Sequence, residues 1–252
     1  MKNTNETKDI YSFFACSDIH SAYTPWMDAL KKAGFDENNE FHKIIICGDA
    51  FDRLDESQKV FEFIEDMLNK DKLIYVKGNH EYLLTECLKR KVPLYHDFHN
   101  GTIKTILDLK PKDDDLKFHK KCAIIEPKIK ELLSKTVDYY ETEQYVFVHS
   151  RLPITKDGKF DPRWRKASKT RWEESRWSDP FLYAQKGFVP KDKTLVFGHW
   201  HTSKMRAKET NGHEFGKTAK FDPYFGENYI GLDGCVVASN IVNVVVLKDK
   251  LL

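Results

Sequence analysis

The stretch Lys43-Ile44-Ile45-Ile46-Cys47-Gly48-Asp49-Ala50-Phe51-Asp52-Arg53 runs from an unbroken apolar segment straight into a glycine and two acidic residues. The run at 43–47 is short and rich in isoleucine, so it reads as a buried strand. Carboxylates just past the C-terminal end of such a strand sit where open α/β sheets bind ligands. Working outward, comparable runs occur at 11–16, 72–76, 144–148, 194–197, 229–232 and 241–247. Between the early ones, apolar residues fall at helical spacing: Trp26, Leu30 and Ala33 in 23–33, and Val60, Phe61, Ile64, Met67 and Leu68 in 56–69. Ile129, Leu132, Leu133, Val137 and Tyr140 mark a further helix. Strand, helix and strand, twice over, predict βαβ units and a mostly parallel start to the sheet. The last two runs, with Val236–Val237 between them and a turn at Ser239-Asn240, predict an antiparallel meander.

Four more strings occupy equivalent places past strand ends: Asp18-Ile19-His20, Gly78-Asn79-His80-Glu81, His149, and Gly198-His199-Trp200-His201. Loops that start at neighbouring strand ends converge even when tens of residues separate them. Together the strings supply enough Asp, His and Asn side chains to hold two metal ions close together, with one histidine left over. No cysteine belongs to the set, so the donors are hard or borderline. That suits Mn, Fe, Zn or Mg better than a thiolate-bound structural zinc. Two such ions clamp an in-line displacement at phosphorus.

Composition sets the surroundings. A chain of 252 residues reads as one α/β domain. Lys+Arg number 41 and Asp+Glu 39, a net charge of +2, which argues neither for a nucleic-acid specialist nor for a membrane-surface protein. No apolar run approaches the ~18 residues that span a bilayer. Five scattered cysteines without CxxC spacing point to a reducing, cytoplasmic setting. A signal-peptide cut after the apolar stretch at 10–16 would remove Asp18 and His20.

Three segments, about 89–122, 153–190 and 204–228, read as cap-like insertions over one sheet edge, with 110–117 a solvated charged run. The Trp164/Trp172/Trp177 segment, interleaved with Arg163, Arg165, Arg171 and Arg176, has three readings. It forms a small aromatic core, stacks on a nucleobase, or holds a phosphorylated peptide. His42, His96, His99, His119 and His213 match no motif and read as surface or loop histidines, with His213 the one that could overhang the site. Asp233, after an apolar strand, reads as a hydrogen-bond acceptor behind a ligand.

The five strings, in this order, resemble the calcineurin-like metallophosphoesterase superfamily, and within it the phosphoprotein-phosphatase branch with its bacterial and phage Ser/Thr phosphatases. Gly-Asp-x-x-Asp-Arg and Gly-Asn-His-Glu are the branch-specific pieces. The resemblance implies a four-layer α/β/β/α sandwich, here a single domain over 1–252, with the site along one edge. It implies one metal on Asp18, His20 and Asp49, with Asp49 bridging to a second on Asn79, His149 and His199. His201 would complete the first ion's shell, His80 would be the general acid oriented by Asp52, and Arg53 would hold a phosphate oxygen. Two departures stand out: Leu54 replaces the usual glycine after Asp-Arg, and His201 belongs with phosphodiesterases and nucleases rather than strict protein phosphatases. Ser150-Arg151 follows His149 in place of a glycine-rich continuation, making Arg151 a second candidate phosphate clamp.

The resulting expectation is a dinuclear metal-dependent hydrolase of phosphate monoesters, acting through metal-bound hydroxide in the manner of a serine/threonine phosphatase. Manganese leads among two divalent or trivalent ions, and the substrate is a phosphoprotein or nucleotide. The alternative is a phosphodiesterase or a symmetrical dinucleoside tetraphosphatase. A scaffold that has kept the fold and lost the chemistry would have lost ligands, and none of the expected ones is missing.

Overall fold

The computed structural model of the chain describes residues 9–109 and 116–252, so the charged run expected at 110–117 lies mostly outside the described residues. In chain order, β1 (Ile10–Cys16), α1 (Tyr23–Ala33), β2 (His42–Cys47), α2 (Ser57–Asn69) and β3 (Leu73–Val76) form two βαβ units. The helices α3 (Asn79–Arg90), α4 (Tyr95–Asn100), α5 (Thr102–Asp108) and α6 (Phe118–Ser134) follow. Next come β4 (Tyr140–Glu141), β5 (Tyr145–Phe147), α7 (Lys169–Ser175), α8 (Pro180–Gln185) and β6 (Thr194–Phe197). The described chain closes with α9 (Thr202–Thr210), β7 (Tyr224–Phe225), β8 (Tyr229–Gly231), α10 (Val236–Ser239) and β9 (Val245–Lys250).

One sheet has the order β3-β2-β1-β9, with β1, β2 and β3 parallel and β9 antiparallel to β1. The other has the order β4-β5-β6-β8-β7, parallel at its centre and antiparallel at both edges. Alternate residues of one strand serve different cores. Phe14, Cys16, Ile44, Ile46 and Tyr75 pack outward against Trp26, Val60, Ile64, Leu84 and Ile129 of the helices. Their neighbours Phe13, Ala15, Ile45, Cys47 and Val76 face the second sheet and meet Phe147, Val196 and Ile230. The outer face of that sheet, Val146, Leu195 and Phe197, is covered by Trp164, Trp172 and Phe181. The layers therefore run helix, sheet, sheet, helix. Burial on both faces is why the strands read as continuous apolar runs.

Several expectations need revision. The described residues of 89–122 are largely helical and part of the outer core, contributing Ile103, Ile106 and Cys122. The helix expected through Tyr140 ends at Ser134, and Tyr140 pairs in β4 instead. Trp164 and Trp172 are buried core, stacked around Tyr139, whereas Trp177 stays exposed. The C-terminal meander does not form: β8 and β9 lie in different sheets. β8 already has β6 and β7 on its two edges, while β1 has a free edge that β9 fills from Ile10 to Ala15. The intervening Val236–Ser239 is helical, entered at Cys235 and left at Asn240 through left-handed backbone, φ 52 and 58. Among the described residues, no helix is long and apolar enough to cross a membrane.

Trp172→Ala should lower unfolding free energy by about 3–5 kcal/mol, as expected for an aromatic removed from a packed core. Denaturant titration reads this directly. A loss under 1 kcal/mol would mean that Trp172 is not the core residue described.

Candidate metal centre

The motif loops leave the strand ends side by side and are stitched together by their own backbones. Asp18, His20 and Ser21 donate their N–H groups to the carbonyls of Gly48, Asp49 and Ala50 at 3.1, 3.0 and 2.8 Å. Of the twelve described non-glycine residues with left-handed φ, six are Asp18, His20, Asp49, Asp52, Arg53 and His199. Backbone held in that region costs of order 1–3 kcal/mol per residue and persists only where the surroundings enforce it. The glycines before the ligands allow close approach. A Cβ on Gly78 would lie 2.1 Å from Asp49 Oδ1, and one on Gly198 would lie 2.1 Å from Asp18 Oδ2.

Glu81, buried and in the first turn of α3, holds these loops in place. One carboxylate oxygen accepts from the N–H groups of Gly78 (2.7 Å) and Asp49 (3.1 Å). The other accepts from Ala50 N–H (3.0 Å) and the Tyr75 hydroxyl (2.6 Å). It therefore ties the loop after β2 to the loop after β3. The motif Gly-Asn-His-Glu contained it, and an acid three residues into a helix is the signal that it caps that end. The sequence reading assigned it no role.

Around His149, four nitrogen and oxygen atoms that can ligate a metal converge. His149 Nδ1 lies 2.8 Å from the Cys47 carbonyl, which can only accept, so Nδ1 carries the hydrogen. Burial, and then His199, hold His149 well below the usual histidine range, so the ring is neutral and Nε2 is a bare lone pair. That lone pair faces Asn79 Oδ1 at 2.8 Å, His199 Nδ1 at 3.1 Å and Asp49 Oδ2 at 3.4 Å. Bonds of about 2.1 Å to one ion would place its ligands about 3.0–3.4 Å apart. The donor set and its spacing fit a cation.

His20 repeats the pattern. Its Nδ1 donates to the Phe51 carbonyl at 3.1 Å, and burial, then His80, hold its pKa well below normal. The remaining Nε2 lies 3.8 Å from Asp18 Oδ1, and donor atoms of His20, Asp49 and His80 fall within 4.8 Å of one another. The same holds for Asp49, His149 and His199, so Asp49 is common to both groups. Burial, then Asp233 and Asp49, push the Asp18 carboxyl well above the carboxylate range, and burial, then Glu81, do so for Asp49. Acids crowded this way are stable as anions only beside a cation.

His80 stands beside this cluster with its Nδ1 committed to Asp52 Oδ2 at 2.8 Å. Asp52 is wholly buried and accepts further bonds from Thr102 Oγ1 (2.8 Å) and Thr105 Oγ1 (3.0 Å). Both threonines come from α5, in the segment expected to be a mere insertion, which is why the sequence did not reveal them. Arg53 lines the same cavity of about 730 Å³, with one guanidinium N–H on the His99 carbonyl at 2.9 Å. Leu54 packs against the outer core.

Arg151 is not brought to this cavity. Its side chain is buried (7 % exposed), donates to the Leu152 carbonyl at 2.9 Å, and lies 4.7 Å over the Tyr183 ring. His201 does line the cavity, and its ring sits between Glu214 (Nδ1 to Oε1, 2.6 Å) and Asp233 (Nε2 to Oδ2, 3.9 Å). Burial would lower its pKa, but Cys235, Asp233 and Glu214 outweigh that and raise it to about 10. With its Nδ1–H on a carboxylate the ring is oriented so that Nε2 would ligate a metal, the bound ion displacing the proton that the acids hold there in its absence. From the 204–228 segment, Phe215 lines the cavity and Glu214 meets His201, whereas His213 is not among the cavity's lining residues. His96 is exposed, as expected, and lies at the cavity wall with its Nε2 3.2 Å from buried Asp97.

A family model described as calcineurin-like phosphoesterase matches residues 11–220. No curated protein sequence matches the chain. Among solved structures, a protein serine/threonine phosphatase from Saccharomyces cerevisiae with similarity to human phosphatase PP5 superposes with a TM-score of 0.56 at 14 % identity, covering 98 % of this chain and 82 % of that one. A chain described as a "putative diadenosine tetraphosphatase" gives 0.52 at 14 % identity, covering 97 % and 95 %. At that identity the likeness is one of fold.

Two outcomes check the centre. Glu81→Ala strands three backbone N–H groups and should cost at least about 3 kcal/mol of stability, read by denaturant titration. After purification with excess manganese, Asp49→Asn and His149→Ala should each lose at least half of the bound metal by elemental analysis. Wild-type metal content in both variants would sink the assignment.

Proposed function

The chain belongs to the calcineurin-like phosphoesterase family, and from that premise we propose that it hydrolyses phosphate monoesters with two metal ions sharing Asp49. The family makes it a phosphoric ester hydrolase. The reading of the site rests chiefly on one observation: Asp49 has ligand atoms of His20 and His80 within 4.8 Å in one group and of His149 and His199 in the other, and of these His80 is already committed to Asp52. Asp18, His20, Asp49 and His201 would hold one ion, and Asp49, Asn79, His149 and His199 the other. When bound, divalent ions of this kind, manganese foremost, supply Lewis acidity to the phosphoryl oxygens and acidify a water to near neutrality.

The chain's own residues do the remaining work. The Asp52 carboxylate keeps His80 Nδ1 protonated, so the opposite nitrogen, Nε2, is the one that can carry a proton to the reacting centre. As the bond from phosphorus to the leaving oxygen breaks, that proton passes from Nε2 to the oxygen and His80 is left neutral. Thr102 and Thr105 prevent Asp52 from turning away. The N–H groups of Arg53 not used on His99 are free to bind a non-bridging phosphate oxygen, for which a planar fork is suited. Five buried, unpaired cysteines fit a reducing, cytoplasmic setting for this enzyme.

His80→Ala should keep its metal and lose about 10²–10⁴-fold in kcat on an alkyl phosphate, with much less loss on an aryl phosphate whose leaving group needs no proton. Full activity on the alkyl ester would remove His80 as the acid. The wild type should turn over a simple aryl phosphate faster than its bis-aryl diester or a dinucleoside tetraphosphate. The reverse order would transfer the protein to the diesterase or phosphoanhydride reading, with which His201 is associated by resemblance.

A further inference from the structure

We propose that Trp177 seats a planar aromatic group carried on the substrate's leaving oxygen, so that the enzyme selects aromatic phosphates over alkyl ones. This rests on the monoesterase reading of the same site and adds the chemistry of the group that departs. The chain's other tryptophans have partners: Trp26, Trp164 and Trp172 are buried, and Trp200 is covered by Lys204 and Lys208. Trp177 is 49 % exposed and lines the cavity. A large aromatic left open inside a reaction cavity marks a place for an apolar ligand.

Its position says which part of the substrate it meets. The indole stands edge-on to Tyr82 of α3, ring centroids 6.3 Å apart. His80 and Leu83, three residues apart on that helix, share a face, and both line the cavity. Tyr82 lies between His80 and Leu83 in that helix, so Trp177 stands beside the element that carries His80 and in the same cavity, where a group on the substrate's departing oxygen would lie. The platform is also braced before any ligand arrives. The carbonyl of the next residue, Ser178, accepts from Ser150 Oγ at 2.6 Å. Arg176 pairs with Asp138 on one side, and Asp179 caps α8 on the other through Leu182 N–H at 3.0 Å. The backbone that carries the indole is therefore fixed before binding, which lowers the ordering cost of stacking.

Calorimetry on manganese-loaded protein with phenylphosphonate and methylphosphonate, neither of which can be hydrolysed at an ester oxygen, isolates the seat from turnover. The ratio of the two affinities should fall about tenfold in Trp177→Ala and be mostly kept in Trp177→Phe. A parallel ratio of kcat/KM for adenosine 5′-monophosphate and ribose 5-phosphate tells the source of the ring. A tenfold fall there assigns a nucleobase, and a fall confined to the phosphonates assigns an aryl ester. Neither ratio moving by more than twofold overturns the seat. If the phosphonate ratio behaves as expected while the wild type hydrolyses no phosphate ester, the seat stands and the monoesterase reading fails. A wild type that binds neither phosphonate sinks both.

Discussion

The whole arrangement turns on lone pairs that point at one another. Two neutral imidazoles, His20 and His149, have spent their Nδ1 hydrogens on the backbone carbonyls of Phe51 and Cys47, and each aims a bare Nε2 at buried oxygens. Asp49 lies between them, and Asp18 and Asp233 crowd the same depth. Without positive charge this is a costly way to fold a protein, because buried anions and opposed acceptors both destabilise it. With a cation on either side of Asp49 the same geometry becomes favourable. The site is thus a feature of folding as well as of chemistry.

The scaffold bears that cost by fixing the loops from behind. Two sheets buried on both faces give strand ends that cannot shift, and the loops leaving them are tied to each other through backbone hydrogen bonds. Glu81 joins two of these loops with one carboxylate, and Thr102 and Thr105 anchor the Asp52 that orients His80. These residues touch no substrate, yet they decide whether the reacting groups are in register. Left-handed backbone at six site residues is the cost of presenting so many side chains from short loops.

Much of this was legible in the chain. Strands such as 43–47 announced themselves because burial on both faces leaves no polar residues to interrupt them, and the ligands stood immediately after them. What periodicity could not supply was partnership between distant elements. The pairing of β9 with β1 rather than β8 depends on which edges remain free, which is a property of the assembled sheets. The helices of 89–122 were hidden because α4 and α5 are six and seven residues long, too short for a clear apolar stripe. Glu214 and Thr102 reach the site's residues from segments whose local sequence carries no motif, and the sequence could not separate Trp177 from the buried Trp164 and Trp172. Arg151 shows the opposite error: a suggestive neighbour of a ligand whose side chain turns into the cap helices and packs on Tyr183.

Anomalous diffraction from crystals grown with manganese tests the central claim most directly. Two peaks about 3.5–4 Å apart, one on each side of the Asp49 carboxylate, are what the account requires. A single peak, or two ions that do not share Asp49, would contradict it.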